Sequence, residues 1–289
     1  MKGIILAGGT GSRLWPATKV VSKQLMPIFD KPMIYYPLST LMLAGIREIL
    51  VITTPADQVH FKSLLGDGSN IGIHIQYEVQ PKPEGLAQAL IIGENFLDGD
   101  SCLLILGDNI FHGAGLGHEL INTLPTVGCH IFIYEVANPK QYGVLTLDSN
   151  QLPLDIVEKP ENPESNLAVT GLYFFDEQAI HFTRRIKPSN RGELEITSLI
   201  NEYLERKQLT FTRLTRGTAW LDTGSAKSMH DASTYVRVVE ERTGLKIGCI
   251  EEIAWRNKWI SGQQLELAAL KFLGNDYGQY LSRLIENKV

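Results

Sequence analysis

Cysteine is scarce in this sequence: the 289 residues include three, at Cys102, Cys129 and Cys249. An odd number of isolated thiols, mostly within apolar runs, excludes a disulfide framework and lacks the paired spacing of a zinc site. We expect these thiols to be buried and reduced. Together with the lack of a signal peptide before the first strand, they predict a cytoplasmic protein.

Long apolar runs and basic runs are also missing. No stretch approaches the length that crosses a membrane, so no membrane partner is expected. The net charge is −5 with both signs interspersed, which predicts no nucleic-acid partner. A chain that is 44% hydrophobic and 20% charged is typical of a globular protein with a sizeable core.

Several catalytic and phosphate-binding motifs are absent as well. There is no Walker A pattern, and the third glycine of a dinucleotide fingerprint is replaced by Leu14 when counted from Gly9 and Gly11. The seven histidines form no ligand pair on one helix face, and no Gly-x-Ser-x-Gly elbow occurs. If both reactants carry phosphate, a phosphate oxygen of one substrate can attack the other, and the protein need only position the groups and neutralise charge.

A glycine-rich loop follows the first predicted strand, Lys2–Leu6. Gly8, Gly9 and Gly11 allow backbone amides to approach an anion closely, and Arg13 adds a planar fork of donors. Lys23 lies on the return path of this loop and can reach back over phosphates. The alternatives are a tight turn whose glycines only satisfy backbone geometry, and a solvated lysine.

The pattern of strands and helices predicts an α/β fold: a Rossmann-like mixed, mostly parallel sheet flanked by helices. From about Cys129 short strands follow one another and predict a strand-rich insertion that forms the far wall of a cleft. The last forty residues predict a helical cap. We divide the chain at 1–240 and 241–289. The predicted strands are Lys2–Leu6, Glu48–Thr53, Ile73–Val79, Cys102–Leu106, Cys129–Val136, Gly143–Asp148, Asp155–Glu158, Ala168–Phe175 and Leu209–Arg213; the predicted helices are Met33–Ala44, Ala56–Leu65, Leu86–Phe96, Glu195–Lys207, Ser225–Arg242, Glu251–Asn257, Gly262–Phe272 and Tyr277–Asn287.

Polar residues follow the predicted strands where ligands bind in open parallel sheets. Asp108 and Asp222 each end an apolar segment beside a glycine, and Mg²⁺ prefers a few carboxylate oxygens, waters and substrate phosphates. A helix N-cap or turn is the alternative, above all for Asp222. Further along, the Glu158-Lys159 pair and Arg191 could bind a sugar and its phosphate, although such charged residues usually lie on solvated surfaces.

A set of ordered motifs resembles the sugar-1-phosphate nucleotidylyltransferases and, among them, the bacterial glucose-1-phosphate thymidylyltransferases. The resemblance spans nearly the whole chain. It rests on residues 8–16, 22–27, 30–38, 85–89, 106–109, 158–160, 169–173, 191–197 and 219–224. Ser12 replaces a threonine that is usual in this family, which keeps the hydroxyl group.

The resemblance implies that a phosphate oxygen of α-D-glucose 1-phosphate attacks the α-phosphorus of dTTP, giving dTDP-glucose and pyrophosphate. Mg²⁺ would be held by Asp108 and Asp222, and Arg13, Lys23 and Asp108 would be catalytic. The implied nucleotide-binding residues are Gly8, Gly9, Gly11, Ser12, Arg13, Lys23, Gln24, Gln80, Gly85 and Asp108. The implied sugar-phosphate residues are Asn109, Gly143, Glu158, Lys159, Val169 and Arg191.

The resemblance further implies the first step of the dTDP-rhamnose or dTDP-deoxysugar route, a homotetramer, and a regulatory site for dTDP-rhamnose partly built from the C-terminal helices. Three alternatives remain at this point. The same chemistry could use UTP or another sugar phosphate, because one methyl group separates thymine from uracil. A non-catalytic nucleotide sensor would be expected to lose the arginine, lysine or aspartates, and an NAD-dependent dehydrogenase lacks its third glycine.

Overall fold

Alternate residues of the first strand are buried on opposite sides of a central sheet. Ile4 packs with one apolar cluster and Ile5 with the other, which is the pattern of a sheet covered by helices on both faces. The computed structural model describes residues 1–286. Its strands are β1 Lys2–Ala7, β2 Pro27–Ile28, β3 Lys31–Pro32, β4 Glu48–Thr53, β5 His74–Val79, β6 Cys102–Leu106, β7 Asn109–His112, β8 Cys129–Glu135, β9 Gly143–Leu147, β10 Pro153–Glu158, β11 Leu167–Phe175, β12 Leu209–Arg213 and β13 Ala219–Asp222.

The helices alternate with these strands in the first half and gather at the C-terminus. They are α1 Tyr35–Leu43, α2 Gln58–Leu65, α3 Gln88–Ile92, α4 Glu94–Leu97, α5 Leu116–Thr123, α6 Ala179–Thr183, α7 Ile196–Glu205, α8 Ala226–Thr243, α9 Ile250–Arg256, α10 Gly262–Lys271 and α11 Asp276–Glu286. Across residues 1–286, every helix is too short or too polar to traverse a lipid bilayer.

Nine strands form one sheet in the order β10-β9-β11-β6-β1-β4-β5, and β8 branches from β11 and carries β12. Strands β6, β1, β4 and β5 run parallel, whereas β11 is antiparallel to β6, β8 and β9. The register of β11 on β8 shifts between Val169 and Tyr173. The predicted Rossmann-like mixed sheet is confirmed, and the strands predicted as an insertion extend this same sheet.

Some elements differ from the sequence prediction. The helix predicted over Leu86–Phe96 is divided into α3 and α4 at Gly93, whose Cα lies against the sheet; a Cβ there would be 3.0 Å from Ile4 Cδ1. The hairpin β2–β3, the pair β7–β13 and helices α5 and α6 were not predicted as elements. The last residue of the predicted helix Tyr277–Asn287 lies outside the described residues.

The C-terminal helices share an apolar cluster with α1 and β1, since Leu38 and Ile5 belong to the same cluster as Ala254 and Leu281. Helix α8 runs across the predicted boundary between 240 and 241. The division into 1–240 and 241–289 stays a prediction, and residues 287–289 of the second part lie outside the described residues.

A buried ionic cluster joins this C-terminal region to the β2–β3 hairpin. The Lys31 side chain lies within ion-pair distance of Glu240 Oε1, at 2.9 Å, and of Asp30 Oδ1, at 2.5 Å. Lys246 pairs with the other oxygens of the same two carboxylates. Lys31 and Glu240 are 3% and 6% exposed, so each charge depends on its partner.

Candidate active site

The glycine-rich loop after β1 is bonded to Thr18 on one side and exposed on the other. Gly11 has a left-handed φ of 59°, and a Cβ there would lie 3.1 Å from the Cβ of Thr18. The Thr18 hydroxyl donates to the Gly11 carbonyl at 2.7 Å. Gly9, Ser12 and Arg13 are exposed. A fixed loop with exposed backbone and a guanidinium at its end suits a polyanionic ligand.

Lys23 lies in a short 3₁₀ turn and forms an ion pair with Asp108 Oδ2. Its side chain is 12% exposed. The alternative of a solvated lysine is therefore wrong, and the ammonium group lies at the carboxyl end of β6 beside the glycine-rich loop.

Asp108 and Asp222 come together because β7 and β13 pair antiparallel. In that register Asp222 lies opposite Asn109, the residue after Asp108. The Thr223 backbone N–H and hydroxyl both donate to the Asp108 carbonyl, at 3.2 and 2.8 Å. A short strand pair thus brings two carboxylates from distant parts of the chain to one place.

The two carboxylates repel each other electrostatically in a partly buried site. Burial and the neighbouring Asp108 raise the pKa of Asp222 to about 6, while Lys23 and Arg13 act in the opposite direction. Gly224 leaves room beside Asp222, because a Cβ at 224 would lie 3.3 Å from both carboxylate oxygens.

These donors fit a divalent cation that takes few protein ligands. No cluster of three or more His, Cys, Asp or Glu side chains suited to a metal occurs in residues 1–286. Two carboxylates without such a cage match Mg²⁺, which completes its octahedron with waters and substrate phosphates. Asp108 and Asp222 are therefore the residues that could hold it.

Two cavities meet at this pair of aspartates. One has a volume of about 300 Å³ and extends along the glycine-rich loop toward Gln80 and Gly85. The other, of about 260 Å³, extends between β9, β10 and β11. Arg13, Asp108 and Asp222 line both cavities. Ligands in the two cavities would meet at these three side chains.

The first cavity contains every residue predicted to bind the nucleotide. They are Gly8, Gly9, Gly11, Ser12, Arg13, Lys23, Gln24, Gln80, Gly85 and Asp108. Their individual roles stay predictions. Gln24 and Gln80 are buried, and the Ser22 hydroxyl donates to Gln24 Oε1 at 2.7 Å.

The second cavity contains five of the six residues predicted to bind the sugar phosphate: Asn109, Gly143, Glu158, Lys159 and Val169. Here too the structure gives positions, and the roles stay predictions. Gly143 needs to lack a side chain, because a Cβ would lie 2.8 Å from Thr197 Cγ2. The Lys159 ammonium lies 3.1 Å from Glu158 Oε1.

Asn109 is 3% exposed, and two neighbours fix the orientation of its amide. The Trp220 indole N–H donates to Asn109 Oδ1 at 2.6 Å, and Asn109 Nδ2 donates to Asp108 Oδ1 at 2.9 Å. A Cβ on Gly171 would lie 2.6 Å from Asn109 Oδ1. Because an indole can only donate, Trp220 determines which amide atom faces Asp108.

Arg191, the sixth predicted sugar-phosphate residue, lies beside the second cavity and does not line it. Its guanidinium bonds both oxygens of Glu195, at 2.9 and 2.8 Å, and lies 3.1 Å from Glu193 Oε2 and 3.7 Å from Glu158 Oε1. The Glu195 bonds raise the pKa of Arg191. Binding a phosphate would require this guanidinium to turn away from the carboxylates.

Sequence reasoning did not assign roles to several residues that line or order the site. Thr197 and Trp220 stand in motifs that the resemblance quoted, and they line the second cavity without an assigned role. Gln88 bonds Gln80. Gln88 also stands in a quoted motif, the segment 85–89. Its position fits an ordinary helix, so the sequence gives no reason to assign it a role.

The family model for nucleotidyl transferases matches residues 2–238. The glucose-1-phosphate thymidylyltransferase of Neisseria meningitidis is 55% identical over 287 residues, which cover 99% of this chain and 100% of the relative. That of Mycolicibacterium smegmatis is 52% identical over 288 residues, covering 100% of both chains.

Solved structures agree with this similarity. A Bacillus anthracis protein assigned as a glucose-1-phosphate thymidylyltransferase, in complex with sucrose, is 40% identical with a TM-score of 0.76, covering 82% of this chain and 95% of that one. A UDP-glucose pyrophosphorylase complexed with UDP-glucose is 25% identical with a TM-score of 0.73, covering 82% and 98%. The chain therefore belongs to the nucleotidyl transferase family and, within it, to the glucose-1-phosphate thymidylyltransferases.

Proposed function

We propose that this protein transfers a thymidylyl group from dTTP to α-D-glucose 1-phosphate, giving dTDP-glucose and pyrophosphate, with Mg²⁺ held by Asp108 and Asp222. The observation that carries the proposal is the meeting of the two cavities at Arg13, Asp108 and Asp222. A nucleoside triphosphate in one cavity and a sugar phosphate in the other would bring their phosphates together there.

In the proposed step, an oxygen of the sugar phosphate forms a bond to the α-phosphorus of dTTP. The bond from that phosphorus to the oxygen bridging the β-phosphorus breaks, and pyrophosphate leaves with the electron pair. A phosphate monoester has a second pKa of about 6, so it attacks as an anion at neutral pH and needs no general base. This fits a site in which no histidine or cysteine among the described residues lines either cavity.

The protein's contribution is then positioning and neutralisation of charge. Arg13 and Lys23 line the first cavity and would offset the negative charge that accumulates on the leaving pyrophosphate. Bound Mg²⁺ would supply further positive charge to the phosphates and so make the α-phosphorus more electrophilic. Lys159 faces the cavity of the sugar phosphate and would offset the charge of the attacking group.

A screen of pyrophosphate release tests this proposal. Four nucleoside triphosphates would be combined with the 1-phosphates of glucose, galactose, mannose and N-acetylglucosamine, with Mg²⁺ and with excess chelator. We expect the highest kcat/KM for dTTP with glucose 1-phosphate, and no turnover with chelator. Full activity in chelator, or a covalent nucleotidyl adduct on the protein, would contradict the mechanism.

Uridylyl transfer is the second candidate, and the similarity to a UDP-glucose pyrophosphorylase supports it. The thymine methyl group is worth only about 1–3 kcal/mol in a pocket. The relatives at 52% and 55% identity are named thymidylyltransferases, which supports dTTP as the substrate of this chain. Competition between dTTP and UTP in one reaction decides between them, since product analysis gives the ratio of kcat/KM directly.

The proposal includes a homo-oligomer, a tetramer by resemblance, and inhibition by dTDP-rhamnose as the end product of a deoxysugar route. Exposed apolar side chains near the C-terminus support an interface: Leu267, Leu270 and Leu273 are 55%, 51% and 73% exposed. Light scattering after size-exclusion chromatography gives the subunit number, and a monomer at micromolar concentration would contradict this part. A turnover rate unaffected by added dTDP-rhamnose would contradict the regulatory part.

A further inference from the structure

Three polar side chains form a hydrogen-bonded relay next to the first cavity, which contains the predicted nucleotide-binding residues. Gln88 Nε2 donates to Glu84 Oε2 at 2.7 Å, and Gln80 Nε2 donates to Gln88 Oε1 at 2.7 Å. Gln80 Nε2 also lies 3.4 Å from the Gly85 carbonyl. Gln80 is 5% exposed and lines the cavity, whereas Glu84 is exposed at the other end of the relay.

The carboxylate of Glu84 sets the direction of every bond in this relay. An ionised carboxylate only accepts hydrogen bonds, so Gln88 presents its NH₂ group to Glu84 and its oxygen to Gln80. Gln80 must then present its NH₂ group to Gln88. Neither amide can rotate by 180° without placing two donors or two acceptors against each other.

The remaining polar atom of Gln80, Oε1, lies against Gly8, and both residues line the cavity. A Cβ at position 8 would lie 2.3 Å from this oxygen, so only glycine leaves the oxygen its place. No residue within 1–286 donates a hydrogen bond to Oε1, and this oxygen is not among the buried unpaired atoms of the structure. The cavity therefore offers a fixed acceptor beside the glycine-rich loop.

We propose that Gln88, anchored by Glu84, is a positioning residue that makes Gln80 an obligate acceptor, so that the site selects pyrimidines with an N3–H group and rejects cytosine. Thymine and uracil carry a donor at N3. Cytosine carries an acceptor at N3, which would face the Gln80 oxygen without a proton between them. This inference rests on the proposed function for the identity of the ligand; Gln80 is already among the predicted nucleotide-binding residues, and the inference adds Gln88 and Glu84, which orient its amide.

The test measures binding of dTDP and dCDP by calorimetry, together with kcat/KM for dTTP and dCTP. The variant Gln88→Met keeps an unbranched side chain of similar length and removes both polar atoms, which frees the Gln80 amide to rotate. The variant Glu84→Gln changes only the exposed anchor. Glu78→Gln is the matched control, because Glu78 is exposed two residues before Gln80 and has no place in the relay.

We expect Gln88→Met to lower the preference for dTDP over dCDP by about tenfold, in line with the loss of one oriented hydrogen bond. Glu84→Gln should lower it in the same direction by a smaller factor, and Glu78→Gln should leave it unchanged. A preference that persists in a folded Glu84→Gln variant would overturn the role of the anchor. If Gln88→Met also retains the full preference, or lowers binding of both nucleotides equally, the proposal as a whole is overturned.

Binding and turnover separate this inference from the proposed function. A protein that prefers dTDP to dCDP through this relay and yet makes no dTDP-glucose would contradict the proposed reaction and leave the relay intact. A protein that makes dTDP-glucose and in which neither variant changes base preference would do the reverse.

Discussion

The carboxylate of Asp108 is bonded on both sides, by Lys23 at Oδ2 and by Asn109 at Oδ1. Its direction is therefore fixed before any ligand binds. Such preorganisation matters because a charge that must reorient during a reaction stabilises the transition state less than one already in place. Asp222, whose pKa is raised by burial and by this same neighbour, completes the pair.

Replacing Asp108 by Asn tests the role of this carboxylate. Asp108→Asn keeps the size of the side chain and removes its charge, so we expect kcat to fall by about 100-fold or more. Pyrophosphate release at saturating substrate measures kcat, and thermal unfolding shows whether the fold is kept. Asp155→Asn, at an exposed site on β10, is the control. Near-normal turnover of Asp108→Asn would remove the proposed metal role.

Trp220→Phe tests the orientation of Asn109. The variant retains an aromatic ring and loses the indole N–H that bonds Asn109 Oδ1. The amide then keeps only its bond to Asp108 and is held less firmly, so we expect kcat/KM for glucose 1-phosphate to fall by about tenfold. Trp259→Phe, where the ring packs against Arg47 away from the cavities, is the matched control. Equal kinetics for the two variants would contradict a positioning role of Trp220.

Single elements place these residues. The N-cap of helix α8 is Ser225, three residues after Asp222, and a capping box there joins Ser225 and Ser228. Helix α10 begins with a similar capping box at Ser261 and Gln264. The sequence thus offers two similar helix starts, one beside the candidate metal site and one away from it.

Ser225→Ala and Ser261→Ala form a matched pair. Each removes one N-cap oxygen and should lower the free energy of unfolding by about 1 kcal/mol. Only Ser225→Ala should also lower turnover, because the segment from Asp222 to Ser225 loses its anchor. Urea denaturation and initial rates measure the two effects. The same activity in both variants would show that the cap of α8 does not influence the site.

Strands β8 and β12 are linked by His130, whose ring nitrogens lie 2.8 Å from Thr210 Oγ1 and 3.0 Å from Thr212 Oγ1. Burial lowers the pKa of His130 to about 4. The unfolded chain takes up this proton near pH 6.5, and the folded chain does so only near pH 4. Stability therefore falls as the pH drops through that window, by about 3 kcal/mol at most.

The measurement is chemical denaturation of the wild type and His130→Gln between pH 7 and 4. Glutamine can bond both threonines and does not titrate. The difference in unfolding free energy between the two proteins should change across the window, with the wild type losing more. Parallel curves would contradict the lowered pKa.

The buried ionic cluster connects parts of the molecule that lie far apart in the chain. Lys31→Met leaves the carboxylates of Asp30 and Glu240 with Lys246 alone, and should lower the free energy of unfolding by about 3 kcal/mol. Arg237→Met is the control, because Arg237 and Glu241 form an exposed pair on α8 and their loss should cost less than about 0.5 kcal/mol. Urea denaturation measures both, and equal losses would contradict a structural role of the cluster.

Local sequence patterns predicted the elements whose residues are buried on both faces, such as β1, β4 and β6, because continuous aliphatic runs have few other solutions. They did not predict β7 and β13, which are four residues each and form a two-stranded sheet with each other. The proximity of Asp108 and Asp222 depends on that pair. Individual site residues could thus be named from sequence, whereas their mutual geometry and the Gln88 relay required the three-dimensional pairing.

Strand β11 bonds to β6, β8 and β9 at once, so both sides of the cleft are attached to one continuous backbone. Because the two walls share a strand, separating them as rigid bodies would break hydrogen bonds of the sheet. The segments around Gly9, Glu84 and Arg191 border the cleft and are exposed, so they can move without breaking the sheet. We therefore expect substrates to enter and products to leave by movement of these loops, with the sheet unchanged.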